Sequence, residues 1–211
     1  MATTLVNLRA KLNGEIGVAT DAEASPWSAA VRNNAISDGY AALWRNGVWK
    51  AVKQDYPTVE GQVVYAAATA RRLNRLELLD SSLNVVSRPV GFLEPDGSGT
   101  VQLVLRAGCA AGYTLRVYGW TAYLSTFAGD STPDDLDAEY NRIPLLKAKA
   151  ILYRQQLALF ARYGERQAVA PEMNMTIDQI LGLVAAAERE FTDECRALAN
   201  LRTRVGQMRS L

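Results

Sequence analysis

No histidine occurs anywhere in the 211 residues. That removes the commonest general base, the commonest metal ligand and the usual partner of a serine or cysteine nucleophile. Cysteine is nearly as scarce: Cys109 and Cys195 stand alone, in segments of different type, with no C-x-x-C spacing. A structural zinc site is not expected, and two buried free thiols in a reducing compartment are. A surplus of either charge is missing too. With 23 basic against 22 acidic side chains, the chain lacks the clustered cations from which a general nucleic-acid binder draws its affinity. No apolar run approaches the ~20 residues of a membrane-spanning helix. The opening MATTLVNLRAKLNG has neither the apolar core nor the cleavage pattern of a secretory leader. A soluble protein is expected, with no cofactor, metal or membrane partner.

What is present is ordinary globular material. Apolar residues make up 49%, and a chain of this length can remove roughly 70% of its unfolded surface from water, as one large or two small domains. Leu5, Leu8 and Leu12 are spaced for a short amphipathic helix ending at Gly14, with EIGVATDAEAS as a loop. In SPWSAAVRNNAISDGYAALWRNG (25–47), Ser25 fits an N-cap and Pro26 the first turn. Val31, Ala35, Tyr40 and Leu43 form its apolar stripe, and Asn46-Gly47 stops it.

From about 48 to 124 the period changes to two, over five or six short strands. PDGSG (95–99) reads as a hairpin and GCAAG (108–112) as another tight connection. In YTLRVYGW both alternating faces carry large apolar groups, so this part of the sheet is expected to be covered on both sides. Thr132, Pro133 and Asp135 suggest a capped helix start, with a short turn near 134–140 and a main helix from Pro144 to Tyr163, closed by Gly164. A last helix begins at Thr176 with Gln179 as its capping-box partner. Its stripe runs through Ile180, Val184, Ala187, Phe191, Cys195, Leu198, Leu201, Val205 and Met208, the repeat of a helix packed along a partner. The expected class is α+β. An N-terminal helical segment (1–47) precedes a central antiparallel β unit, sandwich or barrel-like (48–126). A C-terminal helical hairpin with a long final helix (127–211) packs with 1–47.

Three patterns invite chemistry. GSGT (97–100) has the glycines of a phosphate loop, but VQLVL follows where a helix N-terminus is needed, so the hairpin reading stands. The carboxylates Asp130, Asp134, Asp135, Asp137 and Glu139 suggest paired acids of glycosidase type, or, more simply, charges offsetting a helix dipole. Arg116, Tyr118 and Trp120 on one strand face suit stacking of bases or sugars, or packing against protein. The tail after Glu194 carries Arg196, Arg202, Arg204 and Arg209 without an acid. It reads either as a helix C-terminus favoured by its dipole or, with Met208 and Leu211 as anchors, as a docking tail for an acidic partner.

The order LVNLRAKLNG, a Trp-led helix ending AALWRNG, TVEGQVVY, GYTLRVYGWTAYL and IPLLKAKAILYRQQLA resembles the head–tail adaptor (neck or connector) proteins of tailed bacteriophages. The likeness is one of layout over most of the chain, and the β unit departs from smaller all-helical adaptors. The resemblance implies a non-enzymatic virion protein at the head–tail junction, assembled in the host cytoplasm. It implies a homo-oligomeric ring, commonly dodecameric, bound beneath the portal protein and presenting a surface to the next neck or tail protein. DNA would pass down its axis without specific binding. On that reading Trp27, Trp44, Tyr118 and Trp120 are subunit-packing anchors, and the C-terminal arginines dock a partner. The competing readings are another tail-completion or baseplate component, and a carbohydrate-binding or carbohydrate-cleaving module.

Overall fold

The structure is a computed structural model that describes residues 3–18, 27–66, 68–98, 100–163 and 175–208, with 160–163 and 203–208 by backbone alone. The chain divides into two compact units, residues 1–48 with 123–211, and residues 49–122. The expected α+β class is what is observed.

In the helical unit, α1 (Leu5–Ile16) buries Leu5, Leu8, Leu12 and Ile16. It runs through Gly14, the expected stop, and ends at Gly17, whose φ of +74° supplies a left-handed cap. Glycine in the helix interior is tolerated at modest cost; the terminator is the glycine whose backbone turns the chain. The Ser25 cap and Pro26 lie outside the described residues. Ser28 caps α2 (Ala29–Arg45), its Oγ accepting from the Val31 amide at 3.3 Å. Asn46-Gly47 ends α2 as expected, with Gly47 at φ +79°.

A single 3-10 turn (Ala138–Tyr140) leads into α3 (Arg142–Tyr163), with Pro144 in the first turn where no backbone donor is needed. The expected stop at Gly164 lies outside the described residues. α2 crosses α3 so closely that a Cβ at Gly39 would sit 2.2 Å from the Pro144 carbonyl oxygen. The last helix, α4 (Ile177–Met208), spans 32 residues, about 48 Å at ~1.5 Å per residue. Its capping box is reciprocal: the Thr176 amide donates to Gln179 Oε1 at 2.8 Å, and the Gln179 amide to Thr176 Oγ1 at 3.3 Å. Ile180, Val184, Phe191, Cys195 and Leu198 join the core built by α1, α2 and α3. The stripe surfaces at Leu201, which is 50% exposed.

Among the described residues the β unit has seven strands, more than expected: β1 (Lys50–Pro57), β2 (Val64–Tyr65), β3 (Arg72–Leu79), β4 (Val85–Ser87), β5 (Gly91–Pro95), β6 (Val101–Leu105) and β7 (Thr114–Thr121). They form two antiparallel sheets, ordered β1-β7-β3-β4 and β2-β6-β5. Tyr65, Leu103 and Leu105 of the smaller sheet share one core with Leu76, Leu78, Leu115 and Val117 of the larger, so the unit is a sandwich. The PDGSG hairpin joins β5 to β6, with Asp96 Oδ1 accepting from the Ser98 and Thr100 amides. The GCAAG segment is not a hairpin within one sheet. It carries the chain from β6 of one sheet to β7 of the other, fastened by Thr58 Oγ1, which donates to the Ala110 carbonyl at 2.7 Å and accepts from the Tyr113 amide at 3.0 Å. Coverage of β7 on both faces is also corrected. Leu115, Val117 and Gly119 are buried, whereas Thr114, Arg116, Tyr118 and Trp120 stay half-buried.

Candidate functional site

The acidic run leads into a single 3-10 turn and begins no α-helix. Four of its five carboxyl groups have local partners instead, and Asp137 and Glu139 stand at the start of the 3-10 turn. Asp130 takes a two-pronged contact from Arg9, at 2.8 and 3.1 Å. Asp135 Oδ1 accepts from the Leu124 amide at 2.8 Å. Asp137 lies 3.9 Å from Arg202. Asp134 is buried: Oδ1 accepts from the Thr3 amide at 2.6 Å and Oδ2 from the Tyr40 hydroxyl at 2.7 Å. Asn141 completes the cluster by donating to Thr3 Oγ1 at 2.6 Å. Burial and this carboxyl neighbour hold the Tyr40 hydroxyl far above the usual tyrosine range. Such a network fastens the chain before α1 to the loop before α3.

The outer face of the larger sheet is a small lattice set by register. Ala51, Trp120 and Arg72 lie side by side, then Lys53, Tyr118 and Arg75, then Asp55, Arg116 and Glu77. Arg116 grips Asp55 through two bonds of 2.9 Å, which hold that carboxyl below its usual range. Arg75 pairs with Glu77 at 3.1 Å and lies 4.2 Å over the Tyr118 ring. Arg72 lies 4.6 Å over Trp49, which in turn leans on Trp120 at 6.1 Å. The expected pairing of Tyr118 and Trp120 on one face is therefore present, with arginines stacked among the rings.

A second feature had no signal in motif or periodicity. Leu83, Val85, Val86, Val90 and Phe92 are exposed within ten residues, at 60, 48, 53, 59 and 48%. They run along β4, an edge strand of the larger sheet, and into β5, an edge strand of the smaller. Leu83 adopts φ +64°, where a non-glycine residue costs about 1–2 kcal/mol. Asp80 imposes that turn, its Oδ1 accepting from the Ser82 and Asn84 amides at 2.9 and 2.8 Å. Asparagine or glycine would relieve the strain; this chain instead displays a leucine. Two open edges lined by bare aliphatic groups are what natural sheets normally avoid unless another chain covers them.

The remaining expected residues disperse. Trp27 is buried inside the helical unit, edge-on to Tyr153 at 5.7 Å, which leaves it no surface for a neighbour. Trp44 is half-buried on the last turn of α2. Arg202 is not a free docking group, since it donates to the Tyr123 hydroxyl and lies over that ring. Arg196 is exposed beside Asp193. The side chains of Arg204 and Met208, and Arg209 and Leu211 altogether, lie outside the described residues. Cys109 and Cys195 are free and buried, and burial raises both thiols, Cys195 to about 12, where a reactive thiolate is suppressed. Among the described residues no cluster of three acidic or cysteine groups is placed to hold a metal ion. None of their helices is long and apolar enough to cross a membrane.

No protein-family profile matches the chain, and no curated protein does. The chain is similar to one in a solved structure described as the neck of an empty GTA particle computed with C6 symmetry. The identity is 14% over 89% of this chain and 93% of that one, with a TM-score of 0.31.

Proposed function

We propose that the chain is a structural assembly protein that works by packing against copies of itself and neighbouring proteins, in the manner of a phage head–tail adaptor ring. The observation that carries this reading is the aliphatic ridge from Leu83 to Phe92, lying on open edges of both sheets and headed by a leucine in a strained backbone conformation. A free monomer gains nothing from that arrangement, whereas a subunit interface buries it. The resemblance to head–tail adaptors implies the rest of this reading: a ring around an axial channel, a portal protein above it and a further neck or tail protein below. No catalysis is assigned: Asp130, Asp134, Asp135 and Asp137 are engaged by local partners and the described thiols are buried.

The test is the mass of the purified full chain, alone and with the portal complex of its own phage, by mass photometry. A closed oligomer or a saturable portal complex is expected. Replacing Val86 and Phe92 together by aspartate should abolish it while leaving the far-ultraviolet circular dichroism unchanged. A chain that stays monomeric and ignores the portal would remove the basis for this function.

A further inference from the structure

The aliphatic ridge has a counterpart on the far side of the same sandwich. There β1 and β2 are the edge strands, and they meet where the Tyr56 and Tyr65 rings lie 5.5 Å apart. β4 and β5 are the edges of the opposite side, joined by the short link 88–90. Val59, Val63 and Val64 are exposed on the first side, as Leu83, Val85, Val86, Val90 and Phe92 are on the second. Register puts the two patches at one level. Val64 and Phe92 both pair with Val104, so apolar side chains cross the outer face of the smaller sheet in one row. Charge sets the patches apart. Glu60 stands between Val59 and Val63, its exposed carboxylate accepting from the Ala111 amide at 3.0 Å. Val90 has Arg88 before it and Arg106 beside it, the Arg106 amide donating to the Val90 carbonyl at 2.9 Å. Neither guanidinium has a hydrogen bond or ion pair among the described residues. Other charges near the two edges are engaged, Asp55 by Arg116, Glu94 by Gln102 and Asp80 by the Ser82 and Asn84 amides. Lys50 and Lys53 stand toward the other end of β1, about 10–20 Å from Tyr56 at ~3.3 Å per residue.

We propose that these two patches pair head to tail, the Val59–Val64 edge of one copy covering the Leu83–Phe92 edge of the next. This rests on the self-packing reading above and names the surface that meets the ridge. A two-fold contact of ridge on ridge would set Arg88 and Arg106 against their own copies, and like charges facing each other weaken an interface. Head-to-tail contact instead brings these guanidiniums toward Glu60, around a centre that is aliphatic on both sides. A partner of another kind would have to supply an aliphatic edge bearing an acid, and this chain already carries one. Because the patches are unlike, each added copy leaves one of each kind open, so association continues until it closes. Patches at one level need little shift along the strands from copy to copy, which suits a ring over a climbing filament.

The experiment is sedimentation velocity on full-chain variants, singly and mixed. Val63→Asp/Val64→Asp disables one edge and Val86→Asp/Phe92→Asp the other. Each alone should stay monomeric with an unchanged far-ultraviolet circular dichroism spectrum. Mixed in equal amounts they should form a complex of two chains and nothing larger, since one intact edge of each kind remains. Glu60→Arg is the milder change and should weaken self-association at least about tenfold; mixing it with Arg88→Glu/Arg106→Glu should recover assembly, because each then offers the charge the other lacks. This charge exchange decides the matter even where an aspartate variant unfolds. Self-association of Val63→Asp/Val64→Asp or Glu60→Arg at the strength of the unmutated chain would overturn the head-to-tail contact and leave self-packing through the ridge in place. So would two folded, monomeric variants that stay apart when mixed. An unmutated chain that remains monomeric with its portal present would instead remove the self-packing reading, and this contact with it.

Discussion

Replacing Tyr40 by phenylalanine removes one oxygen from a fully buried position, and the structure says what that oxygen holds. The hydroxyl donates to Asp134 Oδ2 at 2.7 Å and lies 3.4 Å from Asn141 Oδ1. Its loss strands a carboxyl oxygen away from solvent, which costs about 1–3 kcal/mol. Asp134→Ala strands two donors instead, the Tyr40 hydroxyl and the Thr3 amide, so about 2–6 kcal/mol is expected. The double variant is the informative one. With both the hydroxyl and the carboxyl gone, only the Thr3 amide is stranded, so the double variant should cost about 1–3 kcal/mol in all, about 2–6 kcal/mol less than the sum of the two changes. Urea titration followed at 222 nm reports the helical unit and yields all three values at pH 7. Additivity within about 0.5 kcal/mol would show that the pair does not share one buried site, and the account of the Asp134 cluster would fail.

The two helix-interior glycines should respond oppositely to alanine. Gly39→Ala should destabilise by at least about 1–3 kcal/mol because its Cβ meets a backbone oxygen, whereas Gly14→Ala, exposed with open space around it, should stabilise by about 0.5–1 kcal/mol; thermal melts compare them directly. Tyr40, Tyr123 and Tyr153 are all shifted upward in the folded chain, chiefly by burial. Their contribution is complete below the ordinary tyrosine pKa and falls as pH rises above about 10, by up to about 1.4 kcal/mol per pH unit for each proton withheld. Base titration followed at 222 nm should therefore show unfolding setting in above pH 10, and later in Tyr40→Phe once its lower starting stability is subtracted. Leu83→Asn should relieve the left-handed strain and raise monomer stability by up to about 1–2 kcal/mol while weakening self-association, an inversion that urea melts and mass photometry would register together. Parallel changes in the two measurements would remove Leu83 from the interface.

Local rules made the regular elements legible. Thr176 and Gln179 are three residues apart, and their reciprocal bonds are a property of that spacing alone. Strand alternation from Thr114 to Trp120 likewise separates two faces, but large apolar groups on both hide which one is the core until the second sheet is in place. What was hidden depends on distance along the chain. Asp134 looks like a helix-start charge until Thr3, 131 residues away, is brought against it. Gly14 and Gly17 are chemically identical, and only the backbone angle tells which one ends α1. The ridge at Leu83–Phe92 was invisible for a different reason: apolar residues in a β region are presumed buried, and only the sheet order reveals that β4 and β5 lie at edges. Arg202 reads as a spare cation until Tyr123 is found beneath it.

Register has one more implication. Lys50 and Thr121 are direct partners on β1 and β7, so the seven-stranded segment begins and finishes on neighbouring strands, ~5 Å apart. A module whose two ends meet is a cassette: it can be lengthened, swapped for another sandwich or cut out and replaced by a tight turn, with little demand on the helices that flank it in sequence. Variation in what such a protein touches can then be confined to the cassette.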